Sequence, residues 1–213
     1  MANTSPPPDA HSLMLSSLTQ HFMKHADQRA QLAELVDGNT AISLRLLDWF
    51  VTHYSKEHNV TYWLVGPGHE LSETFGQCVP TTMKTVGGAP RKINVYLEYR
   101  SQLRAFSKHA FDPFRRHNRI SFVVASSPLR TIDTTVGQMN FFRWAIQSRV
   151  IEYVLKHLTA IEDSMSAFQQ ERRNNRNANA EVEAVEAPVA KPLAKARRAP
   201  VAKAPVKMLM TFD

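Results

Sequence analysis

Between Arg91 and Arg119 eight lysines and arginines stand against only Glu98 and Asp112, a net charge of +6. Arg100, Arg104 and Lys108 recur at every fourth residue, which on a helix makes one stripe, and Arg115, Arg116 and Arg119 follow beyond an Asp112-Pro113 stop. Cations so arranged hold phosphate oxygens through charge-assisted hydrogen bonds, arginine in bidentate geometry, with little preference for base sequence. The same stripe also suits a solvated face whose arginines pair with acidic residues elsewhere in the domain. No glycine-rich phosphate cradle accompanies it, since Gly66-Pro67-Gly68 and Gly87-Gly88 match neither the P-loop nor the dinucleotide pattern.

A second cationic block begins at Ala187. Lys191, Lys195, Arg197, Arg198, Lys203 and Lys207 face only Asp213, giving +5, and Pro188-Val189-Ala190-Lys191 returns as Pro200-Val201-Ala202-Lys203. The prolines prevent helix, small residues space the charges, and the composition resembles that of linker-histone tails. If all six cations engaged DNA, a salt slope of up to about −5 in log K is expected. A plain soluble tether between two docking sites is the alternative. At the very end, Val206, Met208, Met210 and Phe212 alternate with Lys207, Leu209 and Thr211. That pattern fits an extended segment adding to a sheet edge, in its own domain or in a protein partner.

Catalytic patterns are weak by comparison, and neither a catalytic residue nor a metal ligand nor a cofactor is assigned. His21 and His25 have metal-compatible spacing but no third ligand nearby in sequence, which favours surface histidines. Asp48, Glu98, Asp112 and Asp133 have no spacing that suggests a nuclease centre, and only their convergence in one pocket would support an enzyme. Phe111-Asp112-Pro113-Phe114 contains a tripeptide of the kind that clathrin-adaptor appendages read, but inside a folded region it reads as a packed turn. The one cysteine, Cys78, excludes an internal disulfide framework and fits a reducing compartment. The residues before Ala187 total only +2, so outside the Arg91 to Arg119 block the domain is acidic at −4. No apolar run reaches the roughly 18–20 residues of a spanning helix, and the Pro-rich start lacks the form of a signal peptide.

The elements that must position these residues follow from periodicity. Residues 1–11 read as a disordered leader, 12–170 as one domain, 171–205 as a disordered charged linker and 206–213 as a β-like anchor. Leu15, Leu18, Phe22 and Ala26, then Leu32, Leu35 and Val36, predict a helix or helix pair interrupted near Asp27-Gln28-Arg29. After the Asp37-Gly38-Asn39-Thr40 turn, a helix over Ile42 to Tyr54 is apolar on most of its circumference and belongs at the centre of the core. Short strands are predicted at Tyr62 to Val65, Val79 to Val86, Ile93 to Leu97 and Ile120 to Val124, the third running directly into the helix that carries the arginine stripe. Thr135-x-x-Gln138 is a capping box opening a helix through Met139, Phe142, Ile146, Val150 and Val154 to about Leu158, and Thr159-x-x-Glu162 opens another. The fold class expected is α+β, helices around a small, mostly antiparallel sheet, with a disordered basic C-terminal tail.

Four blocks carry a further signal: Leu47-Asp48-Trp49-Phe50-Val51-Thr52-x-Tyr54-Ser55-Lys56; Val95-Tyr96-Leu97-x-Tyr99-x-Ser101-Gln102-Leu103-x-Ala105-x-Ser107-Lys108; Phe111-Asp112-Pro113-Phe114-x-Arg116; and Thr134 to Ile146. In sequence and order this chain resembles, over about residues 40 to 168, a conserved, uncharacterised protein family of nucleocytoplasmic large DNA viruses. The basic linker and short β-like end at Lys207 to Asp213 resemble that family too. Where relatives tend to carry a cysteine after the Phe-Asp-Pro-Phe block, this chain has Arg115, which argues against an essential thiol or metal role there. The resemblance attaches no activity. It implies a viral protein acting inside the infected cell, in the viral factory, host cytoplasm or nucleus, or in the virion. The expected function is that of a non-enzymatic, DNA-associated protein gripping nucleic-acid backbone without sequence specificity. The alternative is a virion assembly or scaffold protein that docks a viral partner through its C-terminal segment.

Overall fold

The computed structural model describes residues 9–66, 68–73 and 89–186, with side chains to residue 175. The tail cations Lys191, Lys195, Arg197, Arg198, Lys203 and Lys207, the anchor residues Val206, Met208, Met210 and Phe212, and the strand expected over Val79 to Val86 lie outside the described residues. The chain divides into two units, Met1–Gln170 and Glu171–Asp213.

Two helices open the first unit. Asp9 caps α1 (Ala10–Lys24), its carboxylate accepting from the Ser12 amide at 2.8 Å, so helix begins inside the expected leader. The chain breaks at His25, two residues before the polar interruption, and α2 (Ala26–Asp37) ends on Gly38 in the left-handed conformation (φ 74°) that glycine adopts without a Cβ clash. Ser43, rather than the Thr40 turn, caps α3 (Leu44–Trp49). That helix widens into a π-helical turn over Phe50–Tyr54 and closes with the single turn α4 (Ser55–Glu57). The buried Ser55 bonds back from its hydroxyl to the Val51 carbonyl at 3.0 Å, and its amide reaches the Phe50 carbonyl five residues earlier. Leu46, Leu47, Trp49, Phe50 and Val51 are all buried.

β1 (Thr61–Val65) is the middle strand of an antiparallel sheet, between β2 (Glu70–Ser72) and β3 (Arg91–Asn94), with Tyr62 opposite Ile93. β3 stops earlier than the alternation Ile93, Val95, Leu97 suggests. The Asn94 side chain accepts from the Leu97 amide at 3.0 Å, so the asparagine turns the strand into α5 (Val95–Ala110) and leaves Leu97 exposed on the helix. A second sheet is the hairpin of β4 (Ile120–Ser126) and β5 (Leu129–Thr134), with a register shift between Val123 and Ala125. Both hairpin strands contact α2, and Arg130 pairs with Asp37 at 2.5 Å. β2 and β5 were not expected: β2 has three residues, and β5 has only Ile132 and Thr134 buried.

The core is organised by α6 (Val136–Gln147), in which Val136, Gly137, Met139, Asn140, Phe141, Phe142, Trp144, Ala145 and Ile146 are buried. A helix apolar nearly all round must be enclosed, and α1, α2, α5 and α7 (Val150–Lys156) pack against it. The single helix expected from Thr135 to about Leu158 is in fact α6 and α7, separated by Ser148 and a left-handed Arg149 (φ 58°). Three contacts hold this joint. The Tyr62 hydroxyl donates to the Ser148 carbonyl at 2.6 Å, and the Arg149 guanidinium donates to the Gly68 and His69 carbonyls at 2.7 and 3.1 Å. Burial drives the Tyr62 pKa well above the usual phenol value, so the hydroxyl stays a donor.

The final helix, α8 (Leu158–Glu186), starts one residue before Thr159, so Thr159 lies in its first turn instead of capping it. Ile161 is fully buried, and Met165 and Phe168 pack against the core. Helix then continues through residues 171–186, assigned by composition to a disordered linker; their Glu, Arg and Ala are good helix formers, and no proline intervenes before Pro188. The fold is α+β, helices with two small antiparallel sheets.

Tyr62→Phe keeps the ring and its 5.3 Å stack on Tyr153 but strands the Ser148 carbonyl in a buried site. A loss of about 1–3 kcal/mol is expected, read as a lower urea midpoint at unchanged denaturant slope.

Candidate nucleic-acid interface

Helix α5 carries the predicted stripe and changes it. Tyr96, Arg100 and Arg104 fall one turn apart. The Arg100 guanidinium carbon lies 5.9 Å from the Tyr96 ring centre, and its Nη1 donates to the phenol oxygen at 3.4 Å, which lowers the Tyr96 pKa. Arg100 and Arg104 are exposed. Lys108 does not continue the line, because Ser107 takes φ 57° and ψ 165° and breaks the helix between Arg104 and Lys108. The Ser107 hydroxyl then accepts from the His109 amide at 3.3 Å.

Beyond the break, Phe111 and Pro113 are buried and the Asp112 carboxylate accepts from the Phe114 amide at 2.8 Å, so the Phe-Asp-Pro-Phe sequence is a packed turn. Arg115 is half-buried beside the start of α6. Its Nη2 donates to His109 Nε2 at 3.3 Å, and its carbonyl accepts from the Thr135 hydroxyl at 3.4 Å. A Cβ on Gly137 would stand 3.3 Å from the His109 carbonyl oxygen and 3.4 Å from the Arg115 side chain, so the glycine allows this segment to lie directly on the helix. Arg116 and Arg119 are exposed. The structure thus keeps Arg100 and Arg104 on one helix, separates Lys108 from the three-residue stripe by the Ser107 break, and seats Arg115 against α6.

The Thr135 box is half formed. Its hydroxyl accepts from the Gln138 amide at 3.1 Å, but the Gln138 side chain donates to the Pro113 carbonyl at 2.8 Å. The residue predicted to close the cap therefore ties α6 to the turn carrying Arg115 and Arg116. Asn140, 1% exposed, does the same one turn on: its amide donates to the Ala110 carbonyl at 3.0 Å and its oxygen accepts from Arg143 at 3.1 Å. Sequence reasoning gave Arg143 no role, since it sits within an apolar run. Burial lowers its pKa, and it lines a cleft of about 440 Å³ with Arg91, Glu98, Gln102, Asn140 and Trp144.

Electrostatic pairing separates the predicted cations from the others. Ion pairs join Arg91 to Glu98, Arg130 to Asp37, Arg149 and Lys156 to Glu152, and His157 to Glu73. Among the described residues, Arg100, Arg104, Lys108, Arg115, Arg116 and Arg119 have no carboxylate within 4.0 Å. Lys108 nevertheless lies close enough to Asp48 for its charge to favour that carboxylate.

The four acidic residues considered for a nuclease centre sit in different surroundings. Asp48 and Asp112 are close enough for their charges to interact, whereas Glu98 pairs with Arg91 in a cleft lined by none of the other three, and Asp133 lies on β5. His21 bonds Gln28 at 2.9 Å through Nε2, and His25 Nδ1 bonds the His21 carbonyl at 2.8 Å. No group of three or more metal-ligating side chains occurs among the described residues. No helix among them is long and apolar enough to cross a membrane.

A family model described as a family of unknown function, DUF7197, matches residues 8–191, most of the chain and nearly all the structure just described. The chain belongs to this family. A relative of this DUF7197 chain, the uncharacterized protein L507 of Acanthamoeba polyphaga mimivirus, is 30% identical over 148 residues, which cover 68% of this chain and 49% of the relative. The DUF7197 chain spans about half the length of the curated relative it matches. No solved structure matches. The resemblance drawn from the four sequence blocks holds at the level of an uncharacterised family in large DNA viruses.

Burial, and then the neighbouring Asp112 charge, raise the Asp48 pKa. A carboxylate with a raised folded-state pKa binds protons more readily in the native state, so at pH 7 its ionisation opposes folding. Asp48→Asn is expected to raise the thermal midpoint at pH 7. That advantage shrinks as pH falls through the raised pKa and vanishes below the ordinary value of about 3.8. Melting curves of both forms across this range check it.

Proposed function

We propose that this protein is a non-enzymatic, DNA-associated protein of a large DNA virus that binds nucleic-acid backbone without sequence specificity, acting in the viral factory or the virion. The observation that carries the reading is the absence of carboxylate partners around Arg100, Arg104, Lys108, Arg115, Arg116 and Arg119 among the described residues, although Asp112 and Glu98 lie in the same stretch of chain. Cations with no carboxylate in direct contact remain able to replace counterions on a polyphosphate, Arg100, Arg104, Arg116 and Arg119 from exposed positions. The Ser107 break adds to this. It distributes the cations over a helix, a turn and the segment entering β4, a spread that suits phosphates along a curved backbone better than one rigid row. Lys191, Lys195, Arg197, Arg198, Lys203 and Lys207 extend the same chemistry along the chain.

Binding of a mixed-sequence duplex to the full chain, followed by fluorescence anisotropy across a salt series, tests the reading. Salt-sensitive affinity is expected, and replacing Arg100, Arg104 and Lys108 together by glutamine is expected to make the log K against log salt slope shallower by about 3. Affinity that ignores salt, or no binding by the full chain, overturns it.

A further inference from the structure

We propose that the nucleic acid this protein grips is single-stranded, its bases stacking in an aromatic cleft formed by Trp49, His53, Tyr96 and Phe168. The inference rests on the backbone-binding reading above and names the form of nucleic acid at that site. The cleft has a volume of about 360 Å³ and is lined by these four rings with Thr52, Lys56 and Glu57. Such a volume lies in the usual range of small-molecule clefts, roughly 300–1,000 Å³.

The arrangement of the rings follows from three separate segments. Trp49 ends α3 and His53 lies one turn later in the π-helical turn; their rings stack at 4.5 Å and 12°. Phe168, from α8, meets Trp49 at 4.5 Å and His53 at 5.5 Å. Tyr96, from the first turn of α5, completes the aromatic lining. His53 is exposed while Tyr96 and Phe168 are half-buried, so three aromatic groups remain open to solvent around the buried tryptophan. Rings gathered solely to fill a core are normally covered; these border a cleft.

The charge at its edge indicates what enters it. The rim is cationic: Lys56 Nζ lies 5.8 Å and the Arg100 guanidinium 5.9 Å from the Tyr96 ring centre, with Arg104 one turn further along α5. Among the described residues, Glu57 is the one acidic residue lining the cleft. Aromatic faces flanked by phosphate-binding cations are how single strands are held without base-sequence readout. Each stacked base is worth roughly 1–3 kcal/mol, and duplex bases, already stacked on one another, do not offer these faces.

The experiment uses the full chain, a 15-nucleotide thymidine oligomer, a uridine oligomer of equal length, and a mixed-sequence duplex at one salt concentration. Tighter binding of the oligomers than of the duplex is expected, with the two oligomers showing whether DNA or RNA is preferred. Tyr96→Leu is expected to weaken oligomer binding about 5- to 160-fold, from that stacking energy, with duplex affinity and the salt slope of oligomer binding unchanged. Tyr96→Phe is expected to retain oligomer binding, and the exposed His53→Leu provides a second variant if Tyr96→Leu melts early. Duplex binding as tight as oligomer binding, with both leucine variants neutral, overturns the stacking proposal and leaves backbone binding intact. Failure of every probe to bind overturns both.

Discussion

Everything in this fold hangs on the near-complete enclosure of one twelve-residue helix, α6. Phe141, Phe142, Met139 and Ala145 have no solvent-facing alternative, so other elements must cover every side of it. Burial on this scale supplies the driving force but no direction, since apolar contact is indifferent to register. Direction comes from the few polar groups buried with it. Asn140 fixes the end of α5, Gln138 fixes the following turn, and Ser148 with Arg149 fixes the first sheet, each through a backbone carbonyl that pairs in only one place. The cation-bearing stretch from Arg100 to Arg119 is thereby attached to the most buried element, although most of its charged side chains remain in solvent.

How much of this was legible in the sequence depends on the range of the interaction. Elements governed by local chemistry read well: the glycine end of α2, the threonine cap of α6, the strand at Tyr62 and the stop at Asp112-Pro113. Departures occur where a distant partner decides. The Gln138 side chain leaves its own cap because other groups claim both its ends: its nitrogen donates to the Pro113 carbonyl, 25 residues away, and its oxygen accepts from the Thr134 hydroxyl at 3.3 Å. Nothing within residues 135–157 marks a break at Arg149; the residues that hold it, Tyr62, Gly68 and His69, lie some 80 positions earlier. β5 escapes notice because its outward residues Leu129, Arg130 and Thr131 blur the alternation.

The candidate site divides in the same way. Clustering of positive charge is a property of composition, and it was readable. That none of those cations has a carboxylate within 4.0 Å among the described residues is a property of space: acidic groups pair instead with Arg91, Arg130, Arg149 and Lys156. The Trp49 and His53 stack spans a single helical turn and is in principle a local signal; the contributions of Tyr96 and Phe168 are not. Arg143 was hidden by its company, a charged residue among aromatics whose burial only the packed structure reveals.

The π-helical turn at Phe50–Tyr54 amounts to one extra residue accommodated within a helix. Losing one residue there would restore ordinary α-helical spacing and rotate every later side chain of the segment by about 100° relative to Trp49. His53 and Lys56 would then leave the cleft together while Leu46 and Leu47 kept their places in the core. In evolutionary terms the aromatic cleft and the core are tied together at this turn: the same deletion would also swing the fully buried Ser55 out of place, so the extra residue serves both.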